Sequence, residues 1–436
     1  MGPYEISLFV LVLLIVTLGS GIWIMASLLI VGLVSQFVIA DFSLMKMGTI
    51  SATIISRNSM SWELSAIPLF IWMGELLVRT RLSQSMFEGL TPFVNRIPGR
   101  LLHTSVLGST MFAAVSGSSA ATTTTVGRIT VGELLDRGYD RALTTGSLAG
   151  AGTLGLLIPP SIILIIYGVI SEVSIIRLFA AGVLPGLLIA FLYSSYIIIR
   201  ASLDPNIAPK REVTYSSRDL LIAARKLLPV IILMVVILGA IYSGIATPSE
   251  AAAIGLAATL IITLVLRQLS WSIVYDSLKS AVKVSAMITS LVVCAAVLAS
   301  SMSYVRLPQS IAEIIVDFAP SEFQLILLLA AFYIFLGLFL DGTSITVMSL
   351  PITMPIVMAA GIDPIWFGIF LVIMIELGQI TPPVGFNLYL LQNLSGDSLP
   401  KVARATLPFF FLLCLGVAIL YVFPEIVLWL PNRIYN

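Results

Sequence analysis

Residues 155–160 read Gly-Leu-Leu-Ile-Pro-Pro, and residues 378–383 repeat the pattern as Gly-Gln-Ile-Thr-Pro-Pro, 223 residues further along the chain. Both copies lie inside otherwise apolar stretches. Proline has no backbone N–H and clashes with the preceding helical turn, so a Pro-Pro pair interrupts a helix. Inside a membrane, the backbone groups freed by such a break must face protein, water or a bound ion. Two matched breaks therefore predict a transporter with a binding site near the middle of the membrane.

The composition places these breaks in a membrane protein. Of the 436 residues, 58% are hydrophobic and 10% are charged, whereas soluble proteins carry roughly 25% charged residues. The net charge of +1 and the lack of a basic stripe give no indication of a nucleic-acid partner. His103 is the single histidine and no phosphate-binding Gly-x-x-x-x-Gly-Lys-Ser/Thr loop occurs, which argues against zinc hydrolases, Ser-His-Asp hydrolases and ATP hydrolysis. We therefore predict a polytopic membrane protein that is not an enzyme and carries no cofactor.

A short polar segment precedes each break at a similar interval. The first is Ser116-Gly-Ser-Ser119 and the second is Asp341-Gly-Thr-Ser344, 225 residues later; we call them the first and second knots. Each knot interrupts an apolar run whose flanks carry matching charges, which favours a re-entrant hairpin over a full crossing. The predicted hairpins lie near 97–133 and 323–360, and the predicted broken helices near 142–171 and 364–394.

Further apolar runs are long enough to span a membrane, which takes about 20 residues. They lie near 5–20, 22–40, 61–79, 178–200, 228–245, 248–266, 281–304 and 407–430. Placing the first hairpin on the cytoplasmic side puts 18 of the 23 lysines and arginines in the cytoplasm, as the positive-inside rule requires. Both termini are then periplasmic, and the chain has ten spans and two hairpins.

This topology divides the chain into two related halves. Each half holds five spans and one hairpin, and an odd number of spans turns the second half upside down relative to the first. We predict an all-α fold of two inverted repeats, 1–200 and 228–436, joined by a cytoplasmic linker or connecting helix at 201–227. Amphipathic segments near 82–95 and 307–318 are predicted to lie in the membrane interface as arms, although a plain connecting helix explains them equally well.

Knots and breaks together offer the ligands that sodium prefers. A hard cation is held by oxygen atoms; a broken helix supplies carbonyls, and a knot supplies hydroxyls. The predicted first site consists of Gly117, Ser118, Ser119, Thr153, Gly155 and Ile158, and the second of Gly342, Thr343, Ser344, Gly378, Thr381 and Pro382. The half-helix after each break points its partially positive N-terminus inward, which favours a carboxylate. The alternative is that these small residues only allow close helix packing.

Substrate contacts are predicted at the knots. The candidates are Ser116, Ser119, Asp341 and Thr343. An ionised Asp at mid-membrane costs on the order of 3 kcal/mol, so Asp341 is predicted either to balance the charge of a cation or to bind hydroxyls of the substrate. Glu376, just ahead of the second break, is the next candidate.

The motifs resemble those of a known family. The runs 116–122, 150–161, 341–344 and 378–383 look like the large membrane subunit of tripartite ATP-independent periplasmic (TRAP) transporters. The resemblance implies an elevator-type fold in a bacterial inner membrane, sodium as coupling ion, and mostly small organic acids as substrates. It also implies two partners, a small four-span membrane subunit and a periplasmic substrate-binding protein. Where the second break has Thr381, the first has Ile158, so the first site is expected to depend more on backbone oxygens.

Two rival functions fit the same sequence. The first is a stand-alone symporter for divalent anions and sodium that has the same inverted architecture and needs no binding protein. The second is an ion channel or an intramembrane enzyme. Two matched broken helices argue against a channel, and a single histidine without paired catalytic acids argues against an enzyme.

Overall fold

The described part of the chain is helical, which confirms the predicted all-α class. A computed structural model describes residues 3–209, 215–305 and 321–434, and no strand occurs within these ranges. The helices before the central linker are α1 (Pro3–Gly19), α2 (Ile24–Val38), α3 (Leu44–Ser59), α4 (Ala66–Arg79), α5 (Leu82–Val94), α6 (Leu102–Ser116), α7 (Ser119–Asp136), α8 (Arg141–Gly152), α9 (Leu154–Leu157), α10 (Ile162–Ser171) and α11 (Ile175–Leu203). The later helices are α12 (Ser217–Tyr242), α13 (Pro248–Val265), α14 (Trp271–Tyr304), α15 (Glu322–Gly337), α16 (Gly342–Ala359), α17 (Pro364–Gln379), α18 (Phe386–Ser395), α19 (Leu399–Val422) and α20 (Glu425–Ile434).

Several of these helices are long and apolar enough to cross a membrane. Seven segments of the described ranges meet this condition, and an eighth does if α3 and the segment ending with α4, bent by 54° at their junction, count as one span. Four shorter apolar helices lie in α1, α2, α15 and α17. The chain is therefore a polytopic membrane protein. The inverted relation of the two halves and their boundaries stay predictions.

Several elements differ from the predicted spans, among them α12 and α14, which begin at Ser217 and Trp271 rather than near 228 and 281. Residues 44–59 form helix α3. No span was predicted there because this stretch mixes polar and apolar side chains and lacks a continuous apolar run. The predicted span at 407–430 is wrong in its bounds, since α19 begins at Leu399 and ends at Val422. Pro424 follows, and proline disfavours a helical conformation in the residue before it. Phe423 accordingly leaves the helix with φ −124° and ψ 70°.

The chain turns between helices at the knots and leaves the helical conformation at the breaks, while re-entry of the hairpins into the membrane stays a prediction. Helices α6 and α7 form a hairpin whose turn contains the first knot, and α15 and α16 form one whose turn contains the second. The first break separates α8 and α9 from α10, and the second separates α17 from α18. Both Pro-Pro peptide bonds are cis. The residues that interrupt each helix are thus the prolines, as their chemistry requires.

The two predicted halves pack tightly against each other. Gly146 of α8 faces α19 so closely that a Cβ would lie 2.1 Å from the carbonyl oxygen of Ala405. Between α2 and α14, a Cβ on Gly32 would lie 3.1 Å from Oγ of Ser301, and Nε2 of Gln36 donates to the same hydroxyl at 2.8 Å. Small residues let the helices approach in this way, so the helix before the first break is positioned by the second half.

The predicted arms and linker are only partly within the described residues. The segment near 82–95 is helix α5 (Leu82–Val94), whereas the segment at 307–318 lies outside the described residues. Helix α12 begins at Ser217, where Ser216 and Asp219 form a capping box. Residues 217–227 of the predicted linker are therefore helical. Residues 210–214 of that linker also lie outside the described ranges.

Candidate functional site

The first knot packs directly onto the first break. Gly117 joins α6 to α7 with φ +61°, in the left-handed region that favours glycine. A Cβ at this position would lie 2.6 Å from the carbonyl oxygen of Pro160. The N–H of Ile162, at the start of α10, donates to the carbonyl of Gly117 at 3.3 Å. The backbone of the first knot is therefore in direct contact with the backbone of the first break.

A second contact between the first break and the first knot lies at Gly155. A Cβ there would lie 2.6 Å from Cα of Ser119 and 2.7 Å from the carbonyl oxygen of Ser118. The hydroxyl of Thr153 donates to the carbonyl of Gly150 at 2.6 Å and lies 3.2 Å from the hydroxyl of Tyr193. The first break carries Ile158 where the second has Thr381, so the groups that it can offer an ion are mainly backbone oxygens.

Two further predicted residues of the first site, Ser118 and Ile158, have structural partners, as does the predicted substrate contact Ser116. Oγ of Ser118 accepts from the backbone N–H of Ala121 as the N-cap of α7. The hydroxyls of Ser116 and Thr122 lie 3.0 Å apart. Ile158 is buried, and its Cγ1 would be 2.6 Å from a Cβ on Gly186 of α11. The side chain of Ile158 thus fills space between helices.

Ser119 connects the first knot to the second break. Its hydroxyl lies 3.0 Å from Oε2 of Glu376 and 3.1 Å from the carbonyl oxygen of Gly152. Nδ2 of Asn387 donates to Oγ of Ser119 at 2.7 Å and lies 3.5 Å from Oε2 of Glu376. All three side chains are almost fully buried. We call Ser119, Glu376 and Asn387 the polar cluster.

In the second knot, Asp341 caps a helix. Its Oδ2 accepts from the backbone N–H of Thr343 at 3.0 Å and of Ser344 at 3.3 Å, and the Ser344 hydroxyl donates to Oδ1. The Asp341 residue is exposed. An Asp at the N-cap satisfies N–H groups that the helix leaves without partners. Local sequence therefore accounts for this carboxylate, and its contact with cation or substrate stays a prediction.

The second knot lies close to both breaks. A Cβ on Gly342 would lie 3.1 Å from Nε2 of Gln379, beside the second break, and 3.3 Å from Cδ1 of Leu156, beside the first. Gly378 approaches the other arm of the same hairpin, where its Cβ would lie 2.5 Å from Cα of Gly337. The two knots and two breaks thus form one contiguous region.

The two breaks differ in exposure. Pro159 and Pro160 are buried, whereas Pro382 and Pro383 are exposed. Thr381 is half-buried, and its hydroxyl donates to the carbonyl of Leu377 at 2.6 Å. A hydroxyl has one hydrogen and two lone pairs, so this bond leaves the oxygen of Thr381 able to accept or to bind a cation. The second break is the more accessible of the two.

Sequence reasoning missed part of this region. Asn387 follows the second break in α18, and Tyr193 lies in α11; neither residue belongs to a knot or to a Gly-x-x-x-Pro-Pro segment. Asn387 had a signal in its position four residues after Pro383, whereas nothing in the sequence of α11 marked Tyr193. Within the described residues, no three His, Cys, Asp or Glu side chains form a metal-ligand group. A cation here would depend on hydroxyl, amide and carbonyl oxygens with one carboxylate.

We expect Thr381→Ala to weaken the sodium affinity, and Ile158→Ala to lower the free energy of unfolding instead. Removing the Thr381 hydroxyl should weaken the apparent sodium affinity about tenfold, because one predicted oxygen ligand is lost. Removing the buried Ile158 side chain should lower the free energy of unfolding by about 2–5 kcal/mol through cavity formation and leave the sodium affinity unchanged. Sodium titrations of uptake and thermal unfolding of both variants test this. Equal sodium affinities in the two variants would contradict the predicted asymmetry.

The sequence matches a known protein family. The family model described as "Tripartite ATP-independent periplasmic transporter, DctM component" matches residues 8–426. The C4-dicarboxylate TRAP transporter large permease protein DctM of Pseudomonas aeruginosa is 36% identical over 377 residues, covering 86% of this chain and 88% of that protein. The sialic acid TRAP transporter large permease protein SiaM of Vibrio cholerae is 31% identical over 377 residues, covering 85% and 87%.

A solved transporter structure has a similar fold. The crystal structure of the Alcanivorax borkumensis YdaH transporter superposes with a TM-score of 0.63 over 91% of this chain and 90% of that one. The sequence identity is 14%, so this similarity concerns the fold alone. The overall helical fold therefore occurs in at least one transporter of distant sequence.

Proposed function

Because this chain belongs to the DctM component family of tripartite ATP-independent periplasmic transporters, we propose that it is the membrane subunit of a sodium-coupled importer for small organic acids. In this proposal the chain is a multi-pass protein of a bacterial inner membrane with both termini in the periplasm. It works with a small four-span membrane subunit and a periplasmic substrate-binding protein. The observation that carries the proposal is the contact of each hairpin with a broken helix around a buried polar cluster.

Sodium would be held by oxygens that the breaks leave open. In the first half these are carbonyl groups near Gly155 together with the knot at Gly117–Ser119, which are in direct contact. In the second half they include the Thr381 hydroxyl and the knot at Gly342–Ser344. Hard cations prefer such oxygen ligands, and irregular backbone at membrane depth is tolerated where it lines a binding cavity.

The anionic substrate would meet the N-terminus of α18. This helix starts after the second break at Gly385, whose φ is +47°, and no side chain caps its N-terminus. Its first residue, Phe386, is exposed, as are Pro382 and Pro383. Free N–H groups and the helix dipole favour a carboxylate at such an end. By contrast, the N-terminus of α10 is buried and capped by Ser161, so the accessible anion position is in the second half.

The relatives support acids as the substrate class. One is named for C4-dicarboxylates and the other for sialic acid, and both kinds of molecule carry carboxylates. Transport would follow an elevator mechanism in which the hairpins and breaks move together relative to the rest of the chain. Their dense mutual packing, with glycine Cβ positions blocked by backbone atoms, supports movement of this region as a unit.

Uptake by the reconstituted complex tests the proposal. The chain is incorporated into liposomes with its small membrane subunit, and a labelled organic acid is supplied with the periplasmic binding protein under an inward sodium gradient. We expect uptake only when both sodium and the binding protein are present, because the binding protein delivers the substrate and sodium drives its movement. Replacing sodium by potassium, or omitting the binding protein, should reduce uptake to that of liposomes without protein.

Uptake that survives potassium replacement would contradict sodium coupling. Uptake that survives without the binding protein and without the small subunit would instead support a stand-alone symporter. A gramicidin-treated sample, in which the sodium gradient has collapsed, serves as the control for gradient-driven accumulation.

A further inference from the structure

We propose that a cavity between α4, α7 and α14 binds the phosphate headgroup of an anionic phospholipid. The cavity has a volume of about 450 Å³, which is within the usual range of small-ligand pockets. Its lining residues are Glu75, Val78, Arg79, Arg128, Ile273 and Asp276. None of them belongs to a knot, to a break or to the polar cluster. The site is therefore distinct from the predicted ion and substrate positions, and it does not depend on sodium coupling.

Arg128 gives the cavity a positive charge that no acid neutralises. It is an exposed residue of α7, and none of the ion pairs within the described ranges involves it. Arg79, at the end of α4, already has partners, because its Nε lies 3.1 Å from Oε2 of Glu75 and its Nη2 donates to Oγ of Ser280 at 2.9 Å. The guanidinium of Arg128 therefore keeps its planar fork of donors free, and this fork matches the oxygens of a phosphate.

Helix α14 adds two lysines at the edge of the cavity. Lys279 and Lys283 follow Asp276 by three and seven residues, which places them on the same face of the helix. Both are exposed, and neither forms an ion pair with any residue that the structure describes. Asp276 itself accepts a hydrogen bond from the hydroxyl of Ser272 at 3.0 Å. The cavity and its edge thus hold four cationic side chains and two carboxylates, an excess of positive charge that favours an anion.

An exposed apolar face beside the lysines favours a lipid over a free anion. Trp271, Tyr275, Leu278 and Val282 share one face of α14 and are between 39% and 82% exposed. This face lies about a quarter turn around the helix from the two lysines. Acyl chains can cover such a face while the headgroup reaches the cations, whereas an inorganic anion has nothing to place there.

The depth of the cavity in the membrane also suits a headgroup. Tryptophan and tyrosine are enriched where a membrane meets water, and Trp271 and Tyr275 lie in the first two turns of α14. The predicted topology puts this end of α14 on the cytoplasmic side, where basic pockets between helices bind anionic headgroups. A phosphate bound here would bridge Arg128 of the first hairpin to α4 and α14.

Thermal unfolding of the purified full-length chain in detergent, titrated with dioctanoyl phosphatidylglycerol at constant ionic strength, tests the site. We expect a saturable rise of the unfolding midpoint for wild type. Arg128→Gln removes the free guanidinium and should weaken the apparent lipid affinity about tenfold or more, because a charge-assisted hydrogen bond is lost. A variant that combines Lys279→Gln with Lys283→Gln should weaken it as well.

The control variant and two further ligands make the titration specific. Arg225→Gln removes the same charge from an exposed arginine of α12 that does not line the cavity and is predicted on the same side of the membrane, so it should titrate like wild type. Dioctanoyl phosphatidylcholine has the same chains and a phosphate but no net charge, and inorganic phosphate has no chains. Neither should reproduce the effect of phosphatidylglycerol at equal concentration.

A loss of affinity confined to the cavity variants supports the site. If Arg128→Gln and the lysine variant titrate as wild type does, or if Arg225→Gln loses as much affinity as they do, the cavity is not a headgroup site. An equal response to inorganic phosphate would overturn the phospholipid as the ligand, and an equal response to phosphatidylcholine would overturn the need for an anionic one. Should Arg128→Gln not fold, the lysine variant decides. Because the titration measures no transport, a failure of sodium coupling leaves its result unchanged.

Discussion

Gly155→Ala is expected to reduce sodium-dependent uptake by about a hundredfold, the effect that misplacing reactive groups by about 1 Å has in active sites. The added methyl would lie 2.6 Å from Cα of Ser119 and 2.7 Å from the carbonyl oxygen of Ser118. Both are backbone atoms, which cannot rotate away as a flexible side chain can. The first knot must therefore move off the first break. That movement displaces the Ser119 hydroxyl from Glu376, 3.0 Å away in the native structure.

Initial uptake rates in proteoliposomes measure this effect, with the amount of folded transporter determined by size-exclusion chromatography. Gly132→Ala is the control, because Gly132 lies in α7 and a Cβ added there would have no heavy atom within 4 Å. Alanine there should leave uptake unchanged and stabilise the helix by roughly 0.5–1 kcal/mol. Wild-type uptake by a folded Gly155→Ala protein would show that the contact between knot and break is not needed for transport.

Local chemistry explains why the knots and breaks could be predicted. Two adjacent prolines interrupt a helix whatever surrounds them, and the chain does break at residues 158–161 and 380–385. The turn at Gly117 likewise depends on backbone conformation at that residue. Local chemistry also acts in the second knot. In Asp341-Gly-Thr-Ser344 the carboxylate follows N-capping rules and accepts hydrogen bonds from its own helix, and its contact with a cation or substrate stays a prediction.

Tertiary contacts explain what the sequence could not predict. The distance between Ser119 and Asn387 along the chain is 268 residues, and no periodic pattern links them. The different exposure of Pro160 and Pro383 also depends on which helices surround each break. A repeat in sequence predicts equal backbone chemistry, but it does not predict equal surroundings. The two breaks therefore offer different ligands even where their motifs agree.

The glycines that begin the two Gly-x-x-x-Pro-Pro segments also show that a repeated motif does not predict equal surroundings. Gly155 and Gly378 occupy equivalent positions in the repeated Gly-x-x-x-Pro-Pro pattern. Gly155 faces the turn of its hairpin at Ser118 and Ser119, whereas Gly378 faces the arm of the other hairpin at Gly337. Both positions exclude a side chain, yet the backbone that excludes it belongs to a different part of each hairpin. Substitutions at the two glycines should accordingly differ in what they disturb.

Gly378→Ala is expected to destabilise the protein by about 1–3 kcal/mol, the usual cost of an extra methyl in a well-packed interior. Its Cβ would lie 2.5 Å from Cα of Gly337 and 3.1 Å from the carbonyl oxygen of Ile334. Helices α15 and α17 must therefore separate. Since the separation also moves the helix that carries Glu376, we expect uptake to fall together with the midpoint of thermal unfolding. Gly239→Ala is the control, because a Cβ added at that position would have no heavy atom within 4 Å.

Combining Gly378→Ala with Gly337→Ala tests whether helix separation is the cause. A Cβ on Gly337 would lie 2.6 Å from Cα of Gly378, so either methyl forces the same two helices apart. Once the first methyl has separated them, the second meets less resistance, and the two losses in unfolding midpoint should add up to more than the double variant shows. Strict additivity would mean that each methyl disturbs its own surroundings, and the close approach of Gly337 and Gly378 would then not be what positions the second break.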